Sequence, residues 1–374
     1  MNIGYEAKRV FHNQTGLGNY GRDLVRMLSE HYPENKYYLY NPKSARQRLF
    51  EPNGTHVFER LPQSRFNRTF YNLWRQRNMV GDVKKDGIEL FHGLSGEIPV
   101  GLGRHRIKSI VTIHDLIFVR YPQLFSYIDC NIYFRKFRYA AHRADRIIAI
   151  SEQTKRDIVE FLNVDETKVE VIYQGCHPAF KQRYDEYEKE QIRKKYSLPT
   201  SFILNVGTIE ERKNVLSVVK AIKHLSDTCL VIVGKETEYA KEVRTYIRHN
   251  GLQKNVLFAK GLSIRELAIV YQLAKLFIYP SRFEGFGIPI IEALHSGVPV
   301  ITTNTGCFPE AGGPHSTYVS PDDVAGIGQA IEDLLTDTQL RTEMVDKGFE
   351  YAQRFNDAPI ARQLMACYGN VLRG

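Results

Sequence analysis

The sequence predicts an α/β protein of two doubly wound parallel sheets, on three observations. A chain of 374 residues exceeds what one core ordinarily serves, so two domains of roughly 150 to 190 residues are expected. Short apolar runs alternate with amphipathic helical patterns along most of its length, as parallel strands joined by crossover helices do. The stretch YPSRFEGFGIPIIEALHSGVP at 279–299 reads as strand end, glycine loop and helix start, the local arrangement on which such sheets hold ligands.

In order, residues 2–6 alternate like a first strand. After the mixed segment 8–15 come Gly16-Leu-Gly-Asn-Tyr-Gly21 and a helix with Leu24, Val25 and Leu28 on one face. The spacing is literally G-x-G-x-x-G, but a dinucleotide fingerprint needs its first glycine in the turn directly after the strand, so an NAD site is disfavoured. A helix start facing an anion and a plain glycine turn both stay open. Further strands are expected at 37–41, 55–60, 88–93, 108–115, 146–151 and 168–175. The strand 109–113 delivers His114 and Asp115 to its carboxyl end, where the imidazole is either structural or a ligand contact and Asp115 can orient it. Ser151-Glu-Gln-Thr154 reads as a helix cap.

The first domain is drawn at 1–180 and the second at 181–356, with 184–195 a charged, solvated helix in the connection. The strand 202–206 delivers Gly207-Thr-Ile-Glu-Glu-Arg-Lys-Asn214, with Asn214 read as the cap of a helix that turns Val218, Val219 and Ile222 inward. A glycine turn followed by two adjacent cations at a helix start suits a diphosphate; a solvated Arg-Lys pair is the plain alternative. Strands at 229–234 and 256–261 precede the apolar run 276–279, which ends at Pro280. Gly285 and Gly287 let the backbone turn and approach another molecule, Pro289 fits a first helical turn, and Gly297 stops the helix. Glu284 and Glu292 bracket this loop. Ionised carboxylates accept from sugar hydroxyls and repel phosphate, so the pair suits a ligand with phosphate in the middle and polyols on both sides. Two ordinary surface glutamates would read the same in isolation. Closing helices are expected at 323–335, 339–355 and 358–372.

E-G-F-G-I-P-I-I-E-A followed by S-G-V-P-V-I resembles the E-x7-E signature of the retaining GT-B glycosyltransferases of group 1, nucleotide-sugar-dependent enzymes that include many bacterial mannosyl- and glucosyltransferases. The resemblance implies two Rossmann-like domains facing a central cleft, with a last helix, 357–374, crossing back onto the first. It implies that Glu284 holds the transferred sugar, Glu292 the ribose, and Arg212 and Lys213 the departing diphosphate. It also carries over Gly16 and Gly18 near the donor diphosphate and acceptor, His114 beside the donor sugar, and Ser151 near donor or acceptor. Gly207 and Thr208 fall in the diphosphate turn, Lys260 and Gly261 at the base through their main chain, and Gly285, Phe286, Gly287 and Ile288 in the donor loop. The chain departs from the family at Glu211, where a proline is common, at Thr208, where arginine is common, and at Cys307 and Phe308 in the loop after the motif. The likeness of G-T-I-E-x-R-K-N to mannosyltransferase versions of this loop points to GDP-mannose as donor. No D-x-D pair placed for a divalent metal stands out, so no metal or other cofactor is expected, and protein cations take that part.

The net charge of +9 is uneven: 1–180 carries 27 Lys and Arg against 19 Asp and Glu, so the first half holds nearly all of it. Two segments, 60–78 and 132–146, interleave arginines with aromatics. Each is either a solvated helix face with its aromatics in the core, or a surface for an anionic membrane or phosphorylated lipid. The expected acceptor is accordingly a lipid-linked glycan of the cell envelope, as in lipopolysaccharide or exopolysaccharide synthesis. Five scattered cysteines without a C-x-x-C pair suggest neither a disulfide frame nor a zinc site. The opening MNIGYEAKRVFH lacks a signal peptide's apolar core, so the expectation is a cytoplasmic protein, with peripheral attachment to the membrane's inner face left open. The alternatives are a UDP-sugar transferase of the same fold, an epimerase or phosphorylase, and a non-catalytic basic binding module. No residue suggests the pyridoxal lysine or phosphate site a phosphorylase needs, and nucleic acid is not an expected partner.

Overall fold

The computed structural model describes residues 1–44, 48–52, 55–225 and 227–374. They form two compact units, Met1–Gln174 with Asp357–Gly374, and Gly175–Asn356. In the first, β1 (Asn2–Glu6), β2 (Lys36–Tyr40), β3 (Val57–Arg60), β4 (Leu90–Gly93), β5 (Lys108–Ile113), β6 (Arg146–Ala149) and β7 (Val169–Val171) make a parallel sheet in the order β3-β2-β1-β4-β5-β6-β7. In the second, β8 (Ile203–Val206), β9 (Leu230–Val233), β10 (Val256–Ala259), β11 (Leu276–Tyr279), β12 (Val300–Thr303) and β13 (Thr317–Val319) follow the order β10-β9-β8-β11-β12-β13, again parallel. Central strands such as β9 (LVIV) and β11 (LFIY) are buried at every residue, as strands covered by helices on both faces must be. Each sheet winds outward from one strand and then restarts beside it. The crevices at the carboxyl ends therefore open between β1 and β4 and between β8 and β11.

The helix Gly16–His31 buries Leu24, Val25 and Leu28 in the first unit's core, as its periodicity predicts. The last helix, Asp357–Arg373, packs into the same core through Ile360, Leu364 and Tyr368, and the Tyr368 hydroxyl lies 2.7 Å from His92 Nδ1 on β4. Phe180 belongs to the second unit rather than the first, so a boundary at 180 falls late. The physical reason is packing: Phe180 meets Tyr271 edge-on at 5.5 Å, and the Tyr184 hydroxyl donates to the Ala179 carbonyl.

The two basic segments are only partly surface. Arg75 is buried between Glu6 at 2.6 Å and Glu97 at 3.1 Å, and the buried Trp74 donates its indole N–H to Asp82 at 2.7 Å. Arg60 pairs with Asp86. Exposed in 60–78 are three large apolar side chains, Phe66, Phe70 and Leu73, the two rings 4.9 Å apart, together with Arg65, Arg68, Arg77 and several uncharged polar residues. In 132–146, Tyr133, Phe134, Phe137 and Tyr139 lean on the core, while Ile132, Arg135, Arg138 and Arg143 are exposed. Leu124, Phe125, Tyr127 and Ile128, just before this segment, are exposed as well and carried no sequence signal. Among the described residues no helix is long and apolar enough to cross a membrane.

Candidate active site

The loops leaving β8 and β11 meet in the second unit. Gly207 stands at φ 149, where an added Cβ would come within 3.0 Å of Lys213 Nζ. Gly234, at the end of β9, is tighter still: a Cβ there would fall 1.8 Å from the Gly207 carbonyl oxygen, so only glycine lets the two loops close. The chain then makes the turn Glu211–Lys213. Asn214 does not cap the following helix Val215–Ile222 with its side chain, contrary to the sequence reading. It adopts a left-handed φ of 57°, and its amide donates to the carbonyls of Pro280 at 3.3 Å and Pro321 at 2.6 Å. The residue is spent on fastening the β8 loop to the loops after β11 and β13.

Glu284 is the hub. Its Oε1 receives the Tyr279 hydroxyl at 2.7 Å, Arg212 Nη1 at 3.0 Å, Lys213 Nζ at 3.4 Å and the Ser281 hydroxyl at 3.4 Å. Every recorded protein contact to this carboxylate falls on Oε1; among the described residues none falls on Oε2. Burial by itself would raise the Glu284 pKa, but Lys213 and Arg212, helped by the Tyr279 hydroxyl, outweigh it and hold the carboxyl below its ordinary value. Burial likewise disfavours the Arg212 charge, and Glu284 with Glu210, 2.5 Å away, more than restores it. Lys213 also donates to the Tyr279 hydroxyl at 3.0 Å. The result is two adjacent cations at the crevice, each already desolvated and held in place.

The helix Ile288–Ser296 starts after Gly287 at φ 107 and closes at Gly297 at φ 74, with Pro289 in its first turn, as its sequence predicts. Glu292, in its second turn, receives the Tyr271 hydroxyl at 2.9 Å on Oε2. Gly285 is buried and Ile288 half-buried. The Phe286 ring is core, edge-on to Phe355 at 5.6 Å, so only its backbone is left for a ligand. Cys307 directs its thiol to the Glu284 carbonyl at 3.2 Å, and burial pushes that thiol's pKa up. Thr208 is half-buried beside Gly207. Lys260 is not brought to the Glu284 cluster: its ammonium lies 2.6 Å from Glu236, which Arg244 also holds at 2.6 Å. Those two cations push the Glu236 carboxyl down to about 2. Gly261 follows at φ 74, exposed, beyond the edge strand β10.

In the first unit, His114 is buried, with Nε2 2.9 Å from the Leu94 carbonyl and its ring edge-on to Tyr20 at 4.6 Å. A carbonyl only accepts, so Nε2 carries the proton and Nδ1 keeps its lone pair. Burial lowers the His114 pKa to about 4, leaving the ring neutral near pH 7. Asp115 Oδ1 accepts from the Ile117 N–H at 3.1 Å. Ser151 caps the helix Glu152–Leu162 through the Thr154 N–H at 3.0 Å and is fully buried. Thr154 in turn donates to the His114 carbonyl at 3.1 Å. Gly16 and Gly18 lie in the first turn of the helix Gly16–His31. Gly18 is required by packing, a Cβ there lying 1.9 Å from the Asn13 carbonyl oxygen, whereas a Cβ on Gly16 would meet nothing. No group of three or more His, Cys, Asp or Glu among the described residues could hold a metal ion.

Comparison with known proteins covers both units. The model of "Glycosyl transferases group 1" matches residues 188–351, and that of "Glycosyltransferase Family 4" matches 15–180. The chain is 33% identical over 226 residues to the O-antigen chain mannosyltransferase RfbU of Salmonella typhimurium, a match that spans 60% of each chain and so less than two thirds of that relative. It is 22% identical over 384 residues to the O-antigen chain mannosyltransferase B of Escherichia coli, covering 98% of this chain and 99% of the relative. The crystal structure of HepE from Anabaena in complex with UDP superposes with a TM-score of 0.76 at 15% identity, over 99% of both chains, which speaks for the fold alone.

Proposed function

The chain belongs to the GT-B glycosyltransferases, and from that premise we propose that it moves a mannosyl group from GDP-mannose to a lipid-linked glycan of the cell envelope, with retention of configuration. The observation that carries the reading is the convergence of Arg212 and Lys213 on Glu284 Oε1 at the β8/β11 crevice, with no partner among the described residues on the second oxygen of that carboxylate. In this reading the two cations take the donor's diphosphate. They stabilise the charge that develops as the glycosidic bond to phosphate breaks, the step at which fixed charge gains an enzyme most. Glu284 Oε2 accepts from hydroxyls of the transferred sugar, and Glu292 accepts from the ribose. In the first unit, neutral His114 offers the Nδ1 lone pair to a sugar hydroxyl. Mannose is favoured by the relatives' activities; a UDP-sugar donor is the second reading, favoured by the UDP bound to HepE.

Because the protein's own cations serve the diphosphate, turnover is expected to persist in EDTA, with no metal or other cofactor. The exposed Phe66, Phe70 and Leu73 among Arg65, Arg68 and Arg77 are proposed to rest on an anionic membrane that presents the acceptor. Such a protein acts in the cytoplasm, at the membrane's inner face. The test is to incubate it with labelled GDP-mannose, UDP-glucose and UDP-N-acetylglucosamine and polyprenyl-linked acceptors. Transfer from GDP-mannose supports the proposal; transfer from a UDP-sugar alone replaces the donor; neither transfer nor slow donor hydrolysis from any of them sinks it. Sedimentation with anionic vesicles, lost in Phe66→Ser/Phe70→Ser, tests the surface.

A further inference from the structure

We propose that a row of three buried rings, Tyr271, Phe277 and Tyr279, fixes the two site glutamates relative to each other, with the tyrosines acting as positioning residues for Glu292 and Glu284. Phe277 and Tyr279 are two apart on β11 and so share a face of the sheet; their rings stack at 5.9 Å and 19°. Tyr271, from the helix Ile264–Leu273, packs on Phe277 at 5.3 Å. Phe180 closes one end of the row edge-on at 5.5 Å and Phe308 closes the other at 6.3 Å. All three rings of the row are at most 1% exposed.

Only the outer two rings carry a hydroxyl, and each hydroxyl finds a glutamate. Tyr279 donates to Glu284 Oε1 at 2.7 Å while accepting from Lys213 at 3.0 Å. Tyr271 donates to Glu292 Oε2 at 2.9 Å, with the Pro289 carbonyl 3.3 Å away. A phenylalanine would fill either site as well and leave the carboxylate without that donor. Packed rings in a dense interior shift together or not at all. The distance between the two carboxylates is therefore set by ring contacts rather than by two flexible glutamate side chains, and a polyol–diphosphate–polyol ligand meets both acids already spaced.

The inference rests on the donor-site reading above, so the experiment reads both. Titration calorimetry with GDP and initial rates with GDP-mannose are measured for wild type, Tyr271→Phe and Tyr279→Phe, with thermal unfolding to follow the fold. Tyr271→Phe should raise the donor KM and the GDP dissociation constant about tenfold with kcat nearly unchanged, the size of one hydrogen bond to a charged group. Tyr279→Phe should lower kcat about tenfold or more and move the acid limb of the pH–rate profile to higher pH, because Glu284 loses a donor to its charged form. If Tyr279 acts through Glu284, its substitution costs nothing further in kcat once Glu284→Gln is present; an equal loss of kcat in that background overturns the assignment, as does wild-type behaviour of both Phe variants. A wild type that binds neither GDP nor UDP overturns the donor reading, and the positioning role with it.

Discussion

Replacing Lys213 with alanine separates the site's electrostatics from its fold. In the free protein Lys213 Nζ stands 3.4 Å from Glu284 Oε1, with its side chain 17% exposed. At an effective dielectric of about 20 that distance corresponds to a gross attraction of about 5 kcal/mol, most of which desolvation of the two ions cancels. Glu284 keeps Tyr279 at 2.7 Å and Arg212 at 3.0 Å on the same oxygen, so the loss of stability should stay near 1 kcal/mol, or roughly 2–4 °C for a unit of this size. The transition state has no such substitute: its leaving diphosphate loses one of two aimed cations, a loss of about 3–4 kcal/mol and hence 10²–10³ in kcat. The assay is the initial rate at saturating donor, with GDP affinity from calorimetry and the midpoint from thermal unfolding. A kcat within threefold of wild type in a folded Lys213→Ala protein would refute the reasoning, because the cation would then have no part in bond cleavage.

Gly234→Ala should weaken donor binding at least tenfold and lower the unfolding midpoint, since its Cβ would sit 1.8 Å from the Gly207 carbonyl oxygen; calorimetry with GDP checks it. Arg75→Met should destabilise the first unit by about 3–5 kcal/mol in chemical denaturation by leaving Glu6, 3% exposed, without its buried partner, and adding Glu6→Gln should recover much of that. Burial lowers the His92 pKa to about 3 and that of His114 to about 4, against 6.5 for a free imidazole. Their contribution to stability is therefore whole above about pH 6.5 and is lost as the pH falls toward 4 and 3; His92→Asn should flatten that dependence in thermal unfolding.

Much of the second unit was legible in the sequence because its chemistry is local. Strand β11, the glycine loop, Pro289 and Gly297 each declare themselves within a few residues, and Glu284, Arg212 and Lys213 were singled out from the loops that carry them. What escaped are partnerships between distant elements. Tyr271 reaches Glu292 from a preceding helix, Arg75 reaches back to Glu6 on the first strand, and Asn214 binds the loop after β11 although its sequence position suggests a cap. Arginine and aromatic spacing in 60–78 left a solvated face with core aromatics and a membrane surface both open, and the fold divides the segment, burying Trp74 and Arg75 and exposing Phe66, Phe70 and Leu73. Periodicity alone cannot tell which arginine meets a carboxylate from another strand.

A crystal of the protein grown with GDP-mannose tests the central claim most directly. The account predicts the diphosphate between Arg212 and Lys213 at the β8/β11 crevice, the ribose hydroxyls on Glu292 and the mannosyl hydroxyls on Glu284 Oε2. Density for the nucleotide elsewhere, with Arg212 and Lys213 still closed on Glu284 alone, would contradict it.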